Sequence, residues 1–456
     1  MQSSRTILQT ISLIVILLLF FTSIELMGES FKLMGRGFAE ALLQATSNPF
    51  VGLFIGILAT SLVQSSSTVT SMTVGIVAGG GLTIAGAIPI VMGANIGTSV
   101  TNTIVSFGSV TRKEEFRRAM AAATVHDFFN LLAVAVLFPL ELMFQIISGS
   151  ASVLTDSLAN VGGTDLLSPL MLVIDPIAEF IIHLTGSSGV LVLIVGLIFL
   201  FISLRYLVVL LKALVLGRSE ALFHKYLFGA APVALLFGVL LTFMVQSSSI
   251  TTSITVPLVA AGIVSVAQIF PFVLGANIGT TLTALLAGLA LASTGEVAAI
   301  ASLKVAFAHL VFNVYGIALF LPIPFMRNIP IKLSKLLGDL TVRNRLYALG
   351  YVGTVFFLIP LVTIFTTRNL AFDYSPPKPD VLIEAMEEAE QDSLAASDST
   401  RADTVRLSPR TPVGGLDSLA QDSLGRALSQ PTEDAEAGVL TDSTGVSEGA
   451  GPPAPQ

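Results

Sequence analysis

The sequence GILATSLVQSSSTVTSMTVGIVAGG at residues 56–80, followed by PIVMGANIGTSVTNT at 89–103, has a second copy in this chain. The second copy is GVLLTFMVQSSSITTSITVPLVAAG at 238–262, followed by PFVLGANIGTTLTAL at 271–285. The copies align without a gap, and about half of the aligned residues are identical, far more than unrelated segments share. A later motif, HDFFN at 126–130, is echoed by HLVFN at 309–313. The chain therefore contains an internal repeat whose apolar sequence is interrupted by polar, glycine-rich motifs.

The composition is that of a membrane protein. Of the 456 residues, 53% are hydrophobic and 12% are charged, whereas soluble domains carry about 25% charged residues. A helix needs about 20 mostly apolar residues to cross a bilayer. Continuous rather than alternating apolar character predicts helices and excludes a β-barrel, so we expect an all-α, multi-pass helical bundle. The runs long enough to cross are Ile7–Met27, Leu82–Phe107, Ala119–Ile147, Val190–Leu211, Val266–Leu291, Ile300–Leu321 and Leu346–Phe365.

The repeat divides the chain into segments. We expect a first transmembrane helix and an interfacial segment at 1–47, repeat 1 at 48–147, an outer loop and linking helices at 148–229, repeat 2 at 230–325, a basic loop and the last transmembrane helix at 326–368, and an acidic tail at 369–456. The tail is rich in Ser, Asp, Glu, Ala, Pro and Gly, which predicts disorder. Amphipathic stretches at Glu29–Ser47 and Val215–Phe228, and the segment Pro169–Leu184, are expected at the membrane interface. Without cysteine, the chain has no disulfides and no thiolate metal ligands.

Basic residues predict the orientation. They cluster at Thr111–Arg118, between Arg205 and Lys225, and at Arg327–Arg345, whereas residues 148–168 and 292–297 contain none. Lys and Arg favour the cytoplasmic side of a membrane. The helices that carry HDFFN and HLVFN then cross in opposite directions, which predicts that the two repeats are related by an inverted topology.

Each Gln-Ser-Ser-Ser motif lies in an apolar stretch, Asn48–Gly80 or Ala230–Gly262, that suits two half-helices better than two full spans. We expect each stretch to form a re-entrant hairpin or a broken helix, because non-helical backbone survives in a bilayer only where it lines a cavity or is buried in protein. A half-helix N-terminus and hydroxyl donors favour an anion, whereas amide and hydroxyl oxygens suit Na⁺. The candidate binding residues here are Gln64, Ser65, Ser66, Ser67, Thr68, Gln246, Ser247, Ser248 and Ser249.

The motifs GANIGTS at 93–99 and GANIGTT at 275–281 add an amide and a hydroxyl to each copy. Close helix packing accounts for the glycines, but buried asparagine amides need hydrogen-bond partners. We expect a broken helix in each copy, with Asn95, Thr98, Asn277 and Thr280 facing the site. The oxygen ligands of a Na⁺ site are sought among Gln64, Ser65, Thr98, Gln246, Ser247 and Thr280.

The histidine motifs supply supporting residues. We expect His126 and His309, with Asn130 and Asn313, to brace the site through hydrogen bonds rather than to bind a ligand or relay protons. Asp127 has no counterpart in the second copy. An acidic residue inside a membrane is a functional candidate, but we expect Asp127 near the cytoplasmic end of its helix instead. The duplicated segments contain no Lys, Arg, Asp or Glu, so a bound anion must be held by dipoles, hydroxyls, amides and co-bound cations. This favours cation-coupled uptake over anion exchange, and no enzymatic motif is found.

Longer strings resemble one family. QSSST at 64–68, PIVMGANIGTSVTNTIVSFG at 89–108 and EFRRAMAAATVHDFFNLLAVAVLFPLE at 115–141 resemble the type II sodium–phosphate cotransporters, as do the second QSSS, HLVFN and LPIPF at 321–325. The resemblance implies a multi-pass carrier of the cell membrane that moves inorganic phosphate inward with Na⁺ as the coupling ion and without another cofactor. It places Gln64–Thr68 and Gln246–Ser249 in the phosphate and sodium region, with Asn95, Thr98, Asn277 and Thr280 beside it. Many bacterial members end in a domain similar to PhoU, whereas this chain ends in an acidic tail, as expected of a compact bacterial form.

The sequence thus predicts a sodium-coupled symporter that imports phosphate across the cytoplasmic membrane by alternating access, with no nucleic-acid partner. Two alternatives stay open. The chain could be a sodium-coupled symporter of another oxyanion or a carboxylate, or a membrane sensor that binds phosphate without moving it. The oligomeric state is also open.

Overall fold

A computed structural model describes residues 2–35, 46–160, 168–215, 230–293 and 297–367, together with Gly37 and Leu43. Helices and short connections make up these residues, and no strand occurs among them. The predicted all-α class is therefore confirmed. The tail at 369–456, which is predicted to be disordered, lies outside the described residues. Most of the stretch Val215–Phe228, which is predicted to be interfacial, lies outside them too.

The helices follow one another in a simple order. The first half contains α1 (Gln2–Met34), α2 (Pro49–Val63), α3 (Ser66–Ala78), α4 (Ile84–Gly97), α5 (Val100–Ser106), α6 (Lys113–Phe144), α7 (Ile146–Asn160), α8 (Ser168–Leu184) and α9 (Gly189–Val215). The second half contains α10 (Ala231–Val245), α11 (Ser248–Ser253), α12 (Thr255–Ala260), α13 (Val266–Ala292), α14 (Val297–Phe320), α15 (Pro324–Arg343), α16 (Leu346–Gly353) and α17 (Ile359–Thr367). A short π-helix, Thr354–Leu358, joins α16 to α17.

The described part of the chain has 7 helical segments long and apolar enough to cross a membrane. Each coincides with one of the runs predicted from the sequence, which confirms a multi-pass membrane protein. The segments are Thr10–Met34, Ile84–Ser109, Lys113–Phe144, Gly189–Tyr206, Val266–Ala292, Ala298–Phe320 and Leu346–Thr367.

Some expected boundaries differ from the structure. Helix α1 continues to Met34, so the residues from Glu29 to Met34 extend the first crossing helix instead of forming a separate interfacial segment. Helix α7 begins immediately after α6, because Gln145 adopts a left-handed conformation at φ 52° and ends the longer helix. The buried Glu141 then accepts the backbone N–H of Ile147 at 2.7 Å, which satisfies a donor at the start of α7.

Glycines bring the half-helices into backbone contact. In the first copy α2 packs on α4, and a Cβ added to Gly93 would overlap the carbonyl oxygen of Leu53. In the second copy α10 packs on α13, and a Cβ added to Gly275 would overlap the carbonyl oxygen of Leu235, the residue equivalent to Leu53. Both copies therefore fold around the same close contact.

The expected break in the GANIG helix is found in only one copy. Helix α4 ends at Gly97 and α5 begins at Val100, whereas α13 runs through the second motif without interruption. The prediction of a broken helix is thus correct for the first copy and wrong for the second. The equivalent side chains have different partners: the Ser99 hydroxyl lies 3.3 Å from the His126 ring, whereas the Thr281 hydroxyl donates to the carbonyl of Ile278 in its own helix.

Candidate functional site

Each Gln-Ser-Ser-Ser motif is the junction between two half-helices. Gln64 ends α2 in a left-handed conformation at φ 59°, and Gln246 ends α10 in the same way at φ 54°. The next residues, Ser65 and Ser247, are extended and cap the helices that follow. A non-glycine residue with positive φ carries a conformational cost, and such residues concentrate at functional sites. The same strained turn occurs in both copies and interrupts the helix at the polar motif, as predicted for each apolar stretch.

The two glutamine amides hold these junctions in place. The Gln64 Oε1 atom accepts a hydrogen bond from the Thr101 hydroxyl at 2.7 Å. The equivalent Gln246 Oε1 accepts from the Thr283 hydroxyl. The amide nitrogen of each glutamine donates to a backbone carbonyl in the last turn of its own half-helix, that of Ser61 or Phe243. Gln64 therefore ties α2 to α5, which follows the first GANIG motif, and Gln246 ties α10 to α13, which contains the second.

Both motifs meet at one cavity of about 200 Å³. A water needs about 10–15 Å³ of such space, so the cavity has room for an ion and part of its hydration shell. The lining combines the amides and hydroxyls of the two copies with an apolar wall from α9. The lining residues are Val63, Gln64, Ser65, Ser66, Ser67, Thr68, Phe201, Leu204, Arg205, Gln246, Ser247, Ser248, Ser249 and Ile250.

A second polar cluster lies between the GANIG helices and the histidine motifs. Asn130 Nδ2 donates to the Asn95 carbonyl within the first copy, and other hydrogen bonds cross from one copy to the other. The His126 ring bonds Asn277 Oδ1 of the second copy, and Asn277 Nδ2 donates to Asn130 Oδ1 at 2.8 Å. Conversely, the second copy contacts the first: the His309 ring lies 3.3 Å from Asn95 Oδ1, and Asn313 Nδ2 donates to the same oxygen at 3.4 Å. All six side chains are buried. The bracing role expected for the histidines stays a prediction, and these contacts are the ones through which they would exert it.

A direct link joins the cavity to the break in the first GANIG helix. The Ser249 hydroxyl, which lines the cavity, donates to the backbone carbonyl of Thr98 at 3.3 Å. The hydroxyls of Thr98 and Thr280 each donate to a carbonyl four residues earlier in the helix, both at 3.0 Å. Thr98, Thr280, Asn95 and Asn277 are buried, and none of them lines the cavity; of the four, Thr98 is joined to the lining through Ser249.

Asp127 is not near a helix end. Its side chain is fully buried in the middle of α6, beside His126, and its Oδ2 atom accepts from the Tyr351 hydroxyl at 3.2 Å. Its Oδ1 atom has no hydrogen-bond partner among the described residues. The expectation that Asp127 lies towards the cytoplasmic end of its helix is thus not supported. A buried carboxylate oxygen without a partner is costly, which marks Asp127 as a further functional candidate.

Three other residues escaped the sequence reasoning. Thr101 and Thr283 donate hydrogen bonds to the side chains of Gln64 and Gln246. They occupy equivalent positions in the two copies, and this equivalence could have identified them from the sequence. Arg205 lines the cavity, but in the sequence it belongs to a basic stretch that the positive-inside rule accounts for. Nothing in that stretch indicates proximity to the Gln-Ser-Ser-Ser motifs.

The fold and the site define a helical, multi-pass membrane protein with a duplicated polar centre. The sequence model of the Na⁺/Pi-cotransporter family matches residues 19–145 and 198–328. These ranges cover more than half of the chain, and the chain belongs to this family.

Relatives in vertebrates agree with this assignment. The chain is 34% identical over 440 residues to the human sodium-dependent phosphate transport protein 2B, an alignment that covers 76% of this chain. It is 35% identical over 419 residues to the protein 2A of Rattus norvegicus, covering 75% of this chain and 65% of the relative. The chain spans 63% of the length of the human protein. No solved structure matches the chain.

Proposed function

We propose that this chain is a sodium-coupled symporter that imports inorganic phosphate across the cytoplasmic membrane by alternating access. The observation that carries the proposal is the single cavity onto which the Gln-Ser-Ser-Ser motifs of both copies open. A site shared by two repeats is typical of secondary transporters, in which one repeat moves against the other around the bound substrate. Membership of a family of Na⁺/Pi cotransporters supports the same conclusion.

The cavity lining suits an oxyanion. Ser65 and Ser247 cap two helices whose first turns face the cavity. Free N–H groups and the helix dipole favour negative charge at such positions. Hydroxyls from Ser66, Ser67 and Ser248 add further donors. We assign the phosphate to this cavity, between the two motifs.

Sodium is assigned to the oxygen-rich junctions beside the phosphate. Gln64, Ser65 and Thr98 in the first copy, and Gln246, Ser247 and Thr280 in the second, supply amide, hydroxyl and carbonyl oxygens of the kind that hard cations take. Two buried hydroxyls support the assignment. The Oγ1 atoms of Thr60 and Thr242, which occupy equivalent positions in the two copies, have no hydrogen-bond partner among the described residues.

The cross-copy hydrogen bonds support a mechanism with two arrangements. His126 and Asn130 bond Asn277, and His309 and Asn313 bond Asn95. A rotation of one copy against the other changes all of these bonds together. We propose that this network stabilises one of the two states of the carrier, and that the copies have an inverted topology, as in many secondary transporters.

The test is uptake of radiolabelled phosphate by proteoliposomes that contain the purified protein. An inward Na⁺ gradient is expected to drive phosphate accumulation, and replacement of Na⁺ by K⁺ or choline is expected to abolish it. Sodium-driven uptake of sulfate or a dicarboxylate, without uptake of phosphate, identifies the alternative symporter. Phosphate binding without any sodium-driven flux identifies a sensor, and either result overturns the proposal.

A further inference from the structure

Among the described residues that line the cavity between the two Gln-Ser-Ser-Ser motifs, Arg205 is the one charged side chain. It lies on α9, outside both copies of the repeat, and this helix contacts both α3 and α10. Its neighbours on the cavity wall, Phe201 and Leu204, are apolar. A single helix thus brings one positive charge to a place where the two repeats contribute only neutral groups.

Arg205 has no acidic partner in the described part of the chain. The ion pairs found there join Lys32 to Glu29 and pair other arginines with nearby carboxylates. The Arg205 side chain is exposed, so its guanidinium can reach a ligand at the cavity mouth. An arginine at the rim of a hydroxyl-lined cavity, without a carboxylate to neutralise it, has the chemistry of an oxyanion-binding group.

We propose that Arg205 binds the transported oxyanion at the mouth of this cavity and acts with the two serine motifs as its third binding element. The inference rests on the proposed function, and it extends the site beyond the repeats. A guanidinium offers a planar pair of N–H donors to two oxygens of a phosphate. Its positive charge offsets part of the anion's charge, which hydroxyls alone cannot do.

The same chemistry could serve a lipid phosphate, because an arginine near the end of a crossing helix also suits a lipid headgroup. The position of Arg205 on the cavity wall favours the transported anion. Binding of phosphate in detergent, with and without added phosphatidylglycerol, separates these two sources. The proposal is overturned if phosphatidylglycerol binds at Arg205 and an Arg205 variant nevertheless has an unchanged affinity for phosphate.

The first experiment compares phosphate affinity in four proteins at saturating Na⁺. R205Q is expected to weaken phosphate binding about tenfold or more, and R205K is expected to recover part of the loss because it restores the charge without the planar donor pair. R345Q is the matched control, because Arg345 is exposed and does not line this cavity. The affinity for Na⁺ measured without phosphate is expected to stay within twofold in R205Q. A phosphate affinity in R205Q equal to that of the unmodified protein overturns the inference.

The second experiment uses the absence of cysteine from the chain. In R205C, a cationic aminoethyl thiosulfonate reagent is expected to restore phosphate affinity, whereas an anionic sulfonatoethyl reagent of similar size is expected to weaken it further. Phosphate is expected to slow the reaction of the introduced thiol with either reagent at least severalfold. Equal effects of both reagents, or no protection by phosphate, overturn a direct electrostatic contact.

These measurements separate the inference from the proposed function. Phosphate binding that depends on the charge at position 205, without sodium-driven flux, refutes symport but supports the role of Arg205. Sodium-driven phosphate uptake with unchanged affinity in R205Q supports symport and refutes the role of Arg205. Failure of the unmodified protein to bind phosphate refutes both.

Discussion

Replacement of Gln246 by alanine is the sharpest test of the duplicated site. In the structure, Gln246 Oε1 is the acceptor for the buried Thr283 hydroxyl, and its Nε2 donates to the carbonyl of Phe243 at 2.6 Å. The same side chain lines the cavity and is only 7% exposed. Q246A therefore removes a cavity contact and leaves a buried hydroxyl without its acceptor.

The expected magnitude follows from these contacts. The unpaired Thr283 hydroxyl lowers the stability of the fold by about 1–3 kcal/mol, with and without phosphate. The lost cavity contact leaves a polar group of the bound ligand without its partner, and a cost of the same size lowers affinity, at about tenfold for every 1.4 kcal/mol. We expect Q246A to weaken phosphate binding about tenfold and to reduce sodium-driven uptake at low phosphate by a similar factor. Q64A is expected to behave alike, because Gln64 accepts from Thr101 in the same geometry.

The assay is initial phosphate uptake into proteoliposomes, together with the melting temperature of the purified protein. T283V is the matched control, because it breaks the same hydrogen bond from the other side while Thr283 does not line the cavity. T283V is expected to lower stability like Q246A but to retain more phosphate affinity. Near-normal uptake in both glutamine variants refutes the assignment of these residues to the site, and equal affinity loss in T283V and Q246A assigns Gln246 a purely structural role.

Three further predictions concern the surroundings of the site. Deletion of residues 371–456 is expected to leave sodium-driven uptake intact, and loss of uptake at equal membrane abundance contradicts this. E141A leaves the N–H groups of Ile147 and Ser148 without their acceptor. Thermal unfolding is expected to show a destabilisation of about 1–3 kcal/mol, whereas E114A, at an exposed site, is expected to leave the stability unchanged. G275A places a Cβ against the Leu235 carbonyl and is expected to abolish the yield of folded protein measured by gel filtration. G350A, whose added Cβ meets nothing within 4 Å, is expected to fold normally. A normal yield of G275A contradicts the packing.

The larger features of the fold could be predicted from the sequence because they depend on local properties. Apolar runs of sufficient length fix the crossing helices, and all of those predicted recur in the structure. The junction at each Gln-Ser-Ser-Ser was also predictable, because four polar residues inside an apolar stretch cannot all face lipid. The duplication then indicated that both junctions serve one purpose.

Other features depend on contacts between distant segments. The sequence does not reveal that the Asn95 side chain bonds residues of the HLVFN motif while its backbone carbonyl accepts from Asn130 of HDFFN, because the exchange between copies exists only in three dimensions. Near-identical motifs also fold differently: GANIGTS interrupts its helix and GANIGTT does not, and the equivalent residues Ser99 and Thr281 have different partners. The approach of Arg205 to the cavity is likewise a result of helix packing.

The orientation in the membrane gives the final prediction. If each pair of half-helices returns to the side from which it enters, the 7 crossing segments place the two ends of the chain on opposite sides. The basic loops at Thr111–Arg118 and Arg327–Arg345 favour the cytoplasm, which puts the amino terminus inside and the acidic tail outside. Helix α8, at Ser168–Leu184, is decisive, because a further crossing there inverts everything that follows.

Single cysteines in this cysteine-free chain test the orientation directly. S418C in the tail is expected to react with a membrane-impermeant maleimide in intact cells, after permeabilisation of any outer membrane. T111C, in the first basic loop, is the matched control and is expected to react only when the inner membrane is opened. Reaction of S418C only after that opening refutes the outside tail. That result would also mean that the chain crosses the membrane an even number of times. The segment to examine is then α8, because the count of seven crossings treats this helix as interfacial.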